Sequence, residues 1–452
     1  MVHLRFERGT LSLDGHVENL KGVLWDARSS SFRAAAHRFR SIAEACEANG
    51  VAVSGDLRER WPRLPRSSAA LGLRPYQEQA LAAWNAGGQR GLVVLPTGAG
   101  KTRIATAAIM ETGLPAAILC PTRVLASAWV ADLEARLGER VGCVGDGKHV
   151  VARITVFTFE SAYRHMDRLG DGFGLLVVDE VHHFGGGFRL EALESCAAIA
   201  RMGLTATAPE RRTEAAATLD DLVGPVVFEM SFGELVGEHL APLTMMRRRV
   251  ELDPYERAIY AEKTRLFQEM RRAFFRTNRG ADYAALVKSI SGVVGGARVL
   301  RDHADAMELA AFPRAKRRIV AELLEAHRGD RTIVFTAYAE NAYRVARDNL
   351  VPVIAAETSA RERESILTKF REGTLRAIAS ARVLNEGVDV PDANVAIIVA
   401  GTLGPREYVQ RIGRVLRPAR DKHALVYELV TDATSDERHA LVRGRHAPQT
   451  SH

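Results

Sequence analysis

Cysteine is scarce in this sequence, and long apolar runs are missing. The four cysteines, among 452 residues, lie far apart and form no Cys-x-x-Cys pair. Their spacing disfavours both a zinc site and a disulfide framework, and it indicates a reducing compartment. No stretch reaches the roughly 18 uninterrupted apolar residues of a membrane-spanning helix, and the amino terminus has no apolar signal-peptide core. We therefore expect a cytoplasmic protein that does not enter a membrane.

Charge of one sign is only slightly in excess. Lys and Arg number 62 against 55 Asp and Glu, which gives a formal net charge of +7. This excess suits contact with a polyanion along one groove but does not require it. Hydrophobic residues make up 47% and charged residues 26%, as in ordinary globular proteins, which disfavours wholesale disorder. A chain of this length is expected to form about two to four domains.

The first 68 residues differ in pattern from the rest. Two short alternating segments, 4–6 and 11–13, predict strands, and Asp14-Gly15 is interpreted as a hairpin signal. A helix rich in Ala and Arg is predicted near 32–48. The segment 61–68 contains two prolines and two serines, so it predicts a linker.

From residue 69 onward, short apolar runs alternate with helical stretches. Such runs are typical of strands buried on both faces, and their alternation with helices predicts parallel sheets. The runs form two series, the first at 91–95, 116–119, 154–157 and 175–178, and the second at 331–335, 351–354, 376–379, 395–399 and 425–427. We predict two α/β domains in tandem, at 69–235 and 236–452, with an arginine-rich helical insert at about 253–311.

The run 91–95 leads into Pro-Thr-Gly-Ala-Gly-Lys-Thr at 96–102, followed by a helical pattern. This strand–loop–helix order is what a phosphate loop requires, although Leu95 stands where the usual motif begins with glycine. The glycines let backbone N–H groups face phosphates, Lys101 can reach the β and γ phosphates, and Thr102 offers a hydroxyl to magnesium. The alternative is a glycine-rich turn without nucleotide. The predicted nucleotide contacts here are Thr97, Gly98, Ala99, Gly100, Lys101 and Thr102.

Two further charged clusters fit the same chemistry. Asp179 and Glu180 follow the run 175–178, so they lie at the edge of the sheet where ligands bind. Asp179 is predicted to hold magnesium, and Glu180 to orient and deprotonate the attacking water. Arg414 and Arg417, three residues apart, share a face if their segment is helical. They suit the charge of a transferring phosphoryl group, although a solvated surface is the simpler interpretation.

These segments, in their order along the chain, resemble the motifs of superfamily 2 helicases. The matching segments are 73–77 (adenine-sensing element), 96–102 (motif I), 121–125 (Ia), 179–182 (II), 204–209 (III), 333–336 (IV), 385–391 (V) and 410–417 (VI). Within the superfamily the chain resembles the XPB-type DNA repair and transcription helicases. The Asp-Glu-Val-His-His tract at 179–183, the amino-terminal unit and the helical insert carry this finer resemblance.

The resemblance implies an α/β fold with two tandem RecA-like parallel-sheet lobes, a small amino-terminal α+β domain at 1–68 and a thumb-like helical insert. It implies ATP and Mg²⁺ as cofactors, single-stranded or forked DNA as substrate, a nucleoid-associated location and, from archaeal relatives, a possible nuclease partner. Gln77 would read adenine. The other residues implied at the ATP site are Arg74, Gly387, Asp389, Gln410, Arg414 and Arg417. The candidate DNA contacts are Arg123, Thr158, Thr336, Arg272 and Phe275.

Two departures from the family pattern bear on the activity. The Arg-Glu-Asp triplet that usually follows motif III is missing from 209–214, and the usual Gln-Trp pair after motif Ia is Ala128-Trp129. Three activities stay open: a helicase, a double-strand translocase or restriction-type motor that does not separate strands, and an ATP-gated platform that recruits a nuclease. His182 and His183 are predicted to point to opposite sides of a strand end rather than to form a metal site. The helical insert either grips DNA or packs on the second lobe.

Overall fold

The computed structural model describes residues 1–15, 20–55, 57–62, 71–145, 147–210, 212–235, 243–381, 393–399 and 424–444. The described residues form two compact units, one up to Glu234 and one from Leu235 onward. Within this part of the chain, no helix is both long and apolar enough to cross a bilayer.

The first unit begins with a small sheet in the strand order β3-β4-β2-β1-β5. Its strands are β1 (Val2–Glu7), β2 (Thr10–Gly15), β3 (Leu24–Asp26), β4 (Ser31–Ala35) and β5 (Val53–Ser54), and its helices are α1 (Phe39–Ala48) and α2 (Leu57–Arg60). The β1–β5 pair is parallel and the other pairs are antiparallel. Helix α1 buries Phe39 and Ile42, which gives this α+β domain a core of its own.

Two local predictions in this domain were wrong. The hairpin turn lies at Arg8-Gly9, whose φ angles of 49° and 76° fit a two-residue turn, whereas Asp14-Gly15 continues β2 opposite β1. The predicted helix at 32–48 begins only at Phe39, after a short 3-10 helix. The preceding residues form β4, because pairing with both β2 and β3 overrides the helix propensity of alanine.

The second sheet of this unit has the order β13-β6-β12-β11-β7-β10-β8-β9. Its strands are β6 (Arg90–Val94), β7 (Ala116–Cys120), β8 (Gly142–Gly145), β9 (Lys148–Val150), β10 (Ile154–Thr158), β11 (Leu175–Asp179), β12 (Ala200–Thr205) and β13 (Val226–Glu229). The helices are α3 (Pro75–Ala86), α4 (Lys101–Thr112), α5 (Arg123–Leu137), α6 (Phe159–Leu169), α7 (Glu191–Glu194), α8 (Glu214–Leu222) and α9 (Phe232–Leu235). All strand pairs are parallel except the β8–β9 hairpin.

The strands predicted from apolar runs are confirmed in this sheet. Every residue of β7, β10 and β11 is buried, as expected for strands covered on both faces. The sequence analysis missed β8, β9, β12 and β13. β9 is exposed along its whole length and β13 is exposed or half-buried, so neither has the burial of a central strand. β12 is buried throughout, but Arg201 and Gly203 interrupt its apolar pattern.

The amino-terminal domain packs against the second sheet near the amino ends of its strands. Arg38 pairs with Asp221 at 2.8 Å, and the indole of Trp61 donates to the carbonyl of Asp171 at 2.7 Å. His37 is buried at this contact, and burial is the main cause that lowers its pKa to about 4. The charged groups that also act on His37 are Arg201, Arg38, Asp221 and Arg90.

The sheet of the second unit has the order β14-β19-β18-β15-β17-β16, and all its strand pairs are parallel. Its strands are β14 (Leu243–Val250), β15 (Thr332–Thr336), β16 (Val353–Ile354), β17 (Ala377–Ala381), β18 (Val395–Ile398) and β19 (Ala424–Thr431). The helices are α10 (Pro254–Thr277), α11 (Tyr283–Ser291), α12 (Gly296–Ala311), α13 (Arg314–Ala326), α14 (Ala339–Asn349), α15 (Ala360–Glu372) and α16 (Ser435–Gly444). The second series of predicted strands is thereby confirmed, while β14 was missed.

The inserted helices α10, α11 and α12 pack on one another and on α16. Phe267, Leu286, Ile290 and Val299 form their apolar cluster. A buried ion pair joins α13 to α16: the Lys316 ammonium lies 2.7 Å from the Asp436 carboxylate and also donates to the carbonyl that follows β18.

Candidate nucleotide-binding site

The predicted phosphate loop connects β6 to α4, at the carboxyl edge of the first parallel sheet. Gly98 and Gly100 have φ angles of 87° and 74°, a left-handed conformation that favours glycine. A Cβ atom on Gly100 would lie 2.6 Å from the side-chain nitrogen of Gln77, so this glycine is also required by close packing. The hydroxyl of Thr97 is buried and has no hydrogen-bond partner among the described residues. The loop therefore has the backbone freedom of a phosphate-binding turn and one polar group left over for a ligand.

Helix α3 is hydrogen-bonded to this loop through two side chains of its first turn. The phenol of Tyr76 and the amide nitrogen of Gln77 each donate to the carbonyl of Ala99 at 2.8 Å. The amide oxygen of Gln77 accepts from the backbone N–H of Arg74, which starts the helix. Gln77 is 2% exposed and engaged with the loop, so its contact with adenine stays a prediction. Tyr76 was missed by the sequence analysis, although it stands inside the adenine-sensing segment.

Lys101 and Asp179 lie close together in this site. The Lys101 ammonium donates to the carbonyl of Leu95 at 3.0 Å, which holds the side chain back along the loop. Asp179 ends β11 and is 8% exposed. Burial raises the pKa of Asp179, while attraction to Lys101 and a hydrogen bond from Trp129 act in the opposite direction. A buried carboxylate next to a single ammonium suits a site that receives a cation together with phosphates.

Glu180 has a left-handed backbone, with φ 51°, which is uncommon for a residue other than glycine. Its carboxylate lies 3.5 Å from the Nδ1 atom of His182, and that nitrogen lies 3.2 Å from the hydroxyl of Thr205. Thr205 ends β12, between β6 and β11, and its carbonyl accepts from the backbone N–H of Leu95. The contact between His182 of the motif II segment and Thr205 of the motif III segment thus joins the two segments beside the phosphate loop.

The two histidines differ from their prediction. They belong to a 3-10 helix (Val181–Phe184), and the rings of His182 and His183 lie side by side with centroids 4.4 Å apart and planes tilted by 32°. They do not point to opposite sides, because the strand ends at Asp179 and the helical turn brings successive side chains together. Among the described residues, no group of three or more His, Cys, Asp or Glu side chains is arranged to hold a metal ion.

The candidate DNA contacts differ in accessibility. Arg123 at the start of α5 and Arg272 on α10 are exposed. Thr158 is 9% exposed and caps α6, whereas Thr336 is 1% exposed and donates to the carbonyl of Tyr338. Both threonines shape the turn after a strand, so a direct phosphate contact would need the backbone beside them to open.

Phe275 packs in the apolar cluster of the inserted helices and is half-buried there. The guanidinium of Arg271 lies over its ring, 6.0 Å from the centroid. The structure therefore shows a packing role for this ring, and base stacking by Phe275 stays a prediction. Gly387, Asp389, Gln410, Arg414 and Arg417 lie outside the described residues.

The fold and the site together define a class of protein. A phosphate loop follows the first strand of a parallel sheet, and an acidic pair ends a strand two places away in the same sheet. A second parallel-sheet lobe follows in the same chain. This is the architecture of a nucleotide-dependent motor of the helicase type.

Comparison with known proteins agrees with this class. Three family models match: "Xeroderma pigmentosum group B helicase damage recognition domain" at 4–56, "Type III restriction enzyme, res subunit" at 70–210 and "Helicase conserved C-terminal domain" at 315–419. The DNA 3'-5' translocase XPB2 of Sulfurisphaera tokodaii is 34% identical over 97% of this chain and 98% of that protein. The DNA 3'-5' helicase XPB of Kineococcus radiotolerans is 29% identical over 82% of this chain but only 62% of its own length.

Among solved structures, the helicase domain of Hef from Pyrococcus furiosus matches with a TM-score of 0.55 at 16% identity. The match covers 84% of this chain and 99% of that domain, and it shows the two-lobed fold alone. The chain belongs to the XPB family of superfamily 2 DNA helicases and translocases, as its sequence motifs predicted.

Proposed function

We propose that this chain hydrolyses ATP and uses the reaction to move along DNA in the 3'-to-5' direction. The observation that supports this most directly is the glycine-rich loop after β6, with the buried carboxylate of Asp179 at the end of β11 two strands away in the same sheet. The direction is supported by the DNA 3'-5' translocase of Sulfurisphaera tokodaii, which matches over nearly the full length of both chains.

The chain's own residues have distinct proposed roles in hydrolysis. The N–H groups of the loop and the Lys101 ammonium would hold the phosphates, once Lys101 exchanges its carbonyl partner for phosphate oxygen. Glu180 would orient and deprotonate the attacking water, with His182 beside its carboxylate. Arg414 and Arg417 would supply positive charge for the transferring phosphoryl group, as the family resemblance implies. Catalysis would consist of positioning and charge stabilisation, without a covalent intermediate.

Mg²⁺ fits the donor set of the site. The carboxylate of Asp179 and the hydroxyl of Thr102 are hard oxygen ligands, which this ion prefers, and substrate phosphates commonly complete its shell. When bound, Mg²⁺ would neutralise charge that develops on the transferring phosphoryl group. The Asp179 carboxylate is buried at the end of β11, and Thr102 lies in the first turn of α4, directly after Lys101.

DNA is the proposed substrate because the relatives of this chain are DNA helicases and DNA translocases. Contact would run mainly through phosphates, from exposed arginines such as Arg123 and Arg272, and would be independent of base sequence. A role in DNA repair follows from the match of residues 4–56 to a damage recognition domain. That domain is held against the first lobe by the Trp61 and Arg38 contacts, so both would approach DNA together.

One experiment separates strand separation from movement without it. The ATPase rate is measured with single-stranded, duplex and forked DNA, alongside strand separation on the fork and displacement of a bound triplex-forming strand. DNA-stimulated hydrolysis with triplex displacement is the expected result. Strand separation on the fork would identify a helicase, and its absence a translocase. Absence of DNA-stimulated hydrolysis would contradict the proposal.

A nuclease partner remains a prediction from the family resemblance. An ATP-gated platform would bind such a partner without a DNA-stimulated ATPase of its own. Robust stimulation of the isolated chain by DNA therefore counts against the platform as its whole function.

A further inference from the structure

The indole of Trp129 makes a buried hydrogen bond to the carboxylate of Asp179. Trp129 lies on α5 and is 3% exposed, and its Nε1 atom is 3.0 Å from the Oδ2 atom of Asp179. The Oδ1 atom accepts from the backbone N–H of Glu180, also at 3.0 Å. Each carboxylate oxygen thus has one neutral donor and keeps acceptor capacity for a further partner.

This arrangement fixes the rotation of the carboxylate. A single donor on one oxygen would let the group turn about its Cβ–Cγ bond, whereas donors on both oxygens define one orientation. The backbone donor belongs to the adjacent residue, but the indole comes from a different helix, 50 residues earlier in the chain. Trp129 is therefore the side chain, among the described contacts of Asp179, that ties this carboxylate to another element.

We propose that Trp129 is a positioning residue for the metal: its N–H holds the Asp179 carboxylate in the orientation that binds Mg²⁺ together with nucleotide. The inference rests on the proposed ATP site and deepens it.

The side chain could instead serve only to fill space between α5 and the sheet. Trp129→Phe distinguishes the two roles, because phenylalanine keeps most of the apolar volume and lacks the N–H group. Trp84→Phe is a matched control. Trp84 is also buried in the first unit, and its indole donates to the carbonyl of Arg201 at 2.9 Å, a contact without any carboxylate.

The readout is binding, so it does not depend on turnover. A fluorescent ADP analogue is titrated into the full chain in EDTA and then at rising Mg²⁺ concentrations. Groups that orient a metal ligand typically contribute about 10- to 100-fold to metal affinity. We expect Trp129→Phe to raise the half-saturating Mg²⁺ concentration by about that factor, with unchanged ADP affinity in EDTA. Trp84→Phe should leave the Mg²⁺ dependence as in the wild type.

Three results would contradict either the positioning role of Trp129 or the proposed ATP site. An unchanged Mg²⁺ dependence in Trp129→Phe would overturn the positioning role, and so would an equal shift in Trp84→Phe. A wild-type chain whose ADP affinity ignores Mg²⁺ would instead contradict the proposed ATP site itself. If Trp129→Phe does not fold, benzothienylalanine at position 129 replaces the N–H by sulfur in a side chain of nearly the same shape. A raised half-saturating Mg²⁺ concentration in that variant would again support the positioning role, and an unchanged one would overturn it.

Discussion

The buried pair of Lys316 and Asp436 allows a quantitative prediction about the second lobe. Lys316 is fully buried and Asp436 is 4% exposed, with the ammonium and carboxylate 2.7 Å apart. Removing one partner of such a pair typically costs about 3–5 kcal/mol, because the remaining charge stays buried without its counter-ion. Asp436→Asn keeps the shape of the side chain and removes only its charge. We expect it to lower the free energy of unfolding of the second unit by about 3–5 kcal/mol.

Two further variants test the physical reason. Removing both charges, as in Lys316→Met with Asp436→Asn, leaves no charge at this position and keeps an acceptor for the backbone N–H of Thr431, so the double variant should be more stable than Asp436→Asn alone. Arg318 and Glu322 form an exposed pair on the same helix, with side chains 77% and 56% accessible. Arg318→Ala should cost only about 0.3–0.5 kcal/mol, because solvent screens an exposed pair.

The assay must report on the second unit alone. All four tryptophans, at positions 25, 61, 84 and 129, lie in the first unit, so tryptophan fluorescence does not detect local unfolding of the second. Hydrogen exchange of peptides from β19 and α13 detects local unfolding of the second unit. A loss of 3–5 kcal/mol corresponds to opening that is about 10²- to 5 × 10³-fold more frequent, while fluorescence serves as the reference for the first unit. A change in Asp436→Asn no larger than that in Arg318→Ala would refute the reasoning.

Three other predictions concern the first unit and the ATP site. Lys101→Ala should abolish ATP turnover and leave DNA binding largely intact. The control is Lys148→Ala, at an exposed position. Near-normal hydrolysis by Lys101→Ala would contradict the assignment of the ATP site. Arg414→Ala should slow hydrolysis by on the order of 10³-fold, and an enzyme that keeps most activity would exclude an arginine finger there. The lowered pKa of His37, about 4 against 6.5 in the unfolded chain, means that only the unfolded chain binds this proton between those values. Stability of the first unit should therefore fall from about pH 6.5 down to about pH 4, by on the order of 3 kcal/mol, and His37→Gln should remove that part of the pH dependence in urea unfolding followed by fluorescence.

The interpretation of the phosphate loop required no tertiary information. Glycines, lysine and threonine stand within seven consecutive positions between an apolar run and a helical pattern, so the signal is local. The same is true of most strands of the parallel sheets, since strands covered on both faces are mostly apolar along their length. These features were predictable because each depends on residues that are neighbours in the chain.

The two wrong predictions in the amino-terminal domain share one physical cause. The Asp14-Gly15 pair is a good local turn signal, yet the turn formed at Arg8-Gly9, because strand pairing and burial selected one register among several. The segment 31–35 became a strand for the same reason. Where local preference is weak, the partner strand decides the conformation.

The sequence by itself therefore determined the class of the protein: its motifs, their order, and the two parallel-sheet lobes that carry them. Only the tertiary structure showed which side chains meet. The indole of Trp129 reaches Asp179 across 50 residues, and Lys316 reaches Asp436 across 120. Such pairs leave no periodic trace in the sequence, because each depends on how separate elements pack rather than on spacing along one of them. The proposed metal ligand, Asp179, was thus expected from its motif, whereas the residue proposed to hold it in place was not.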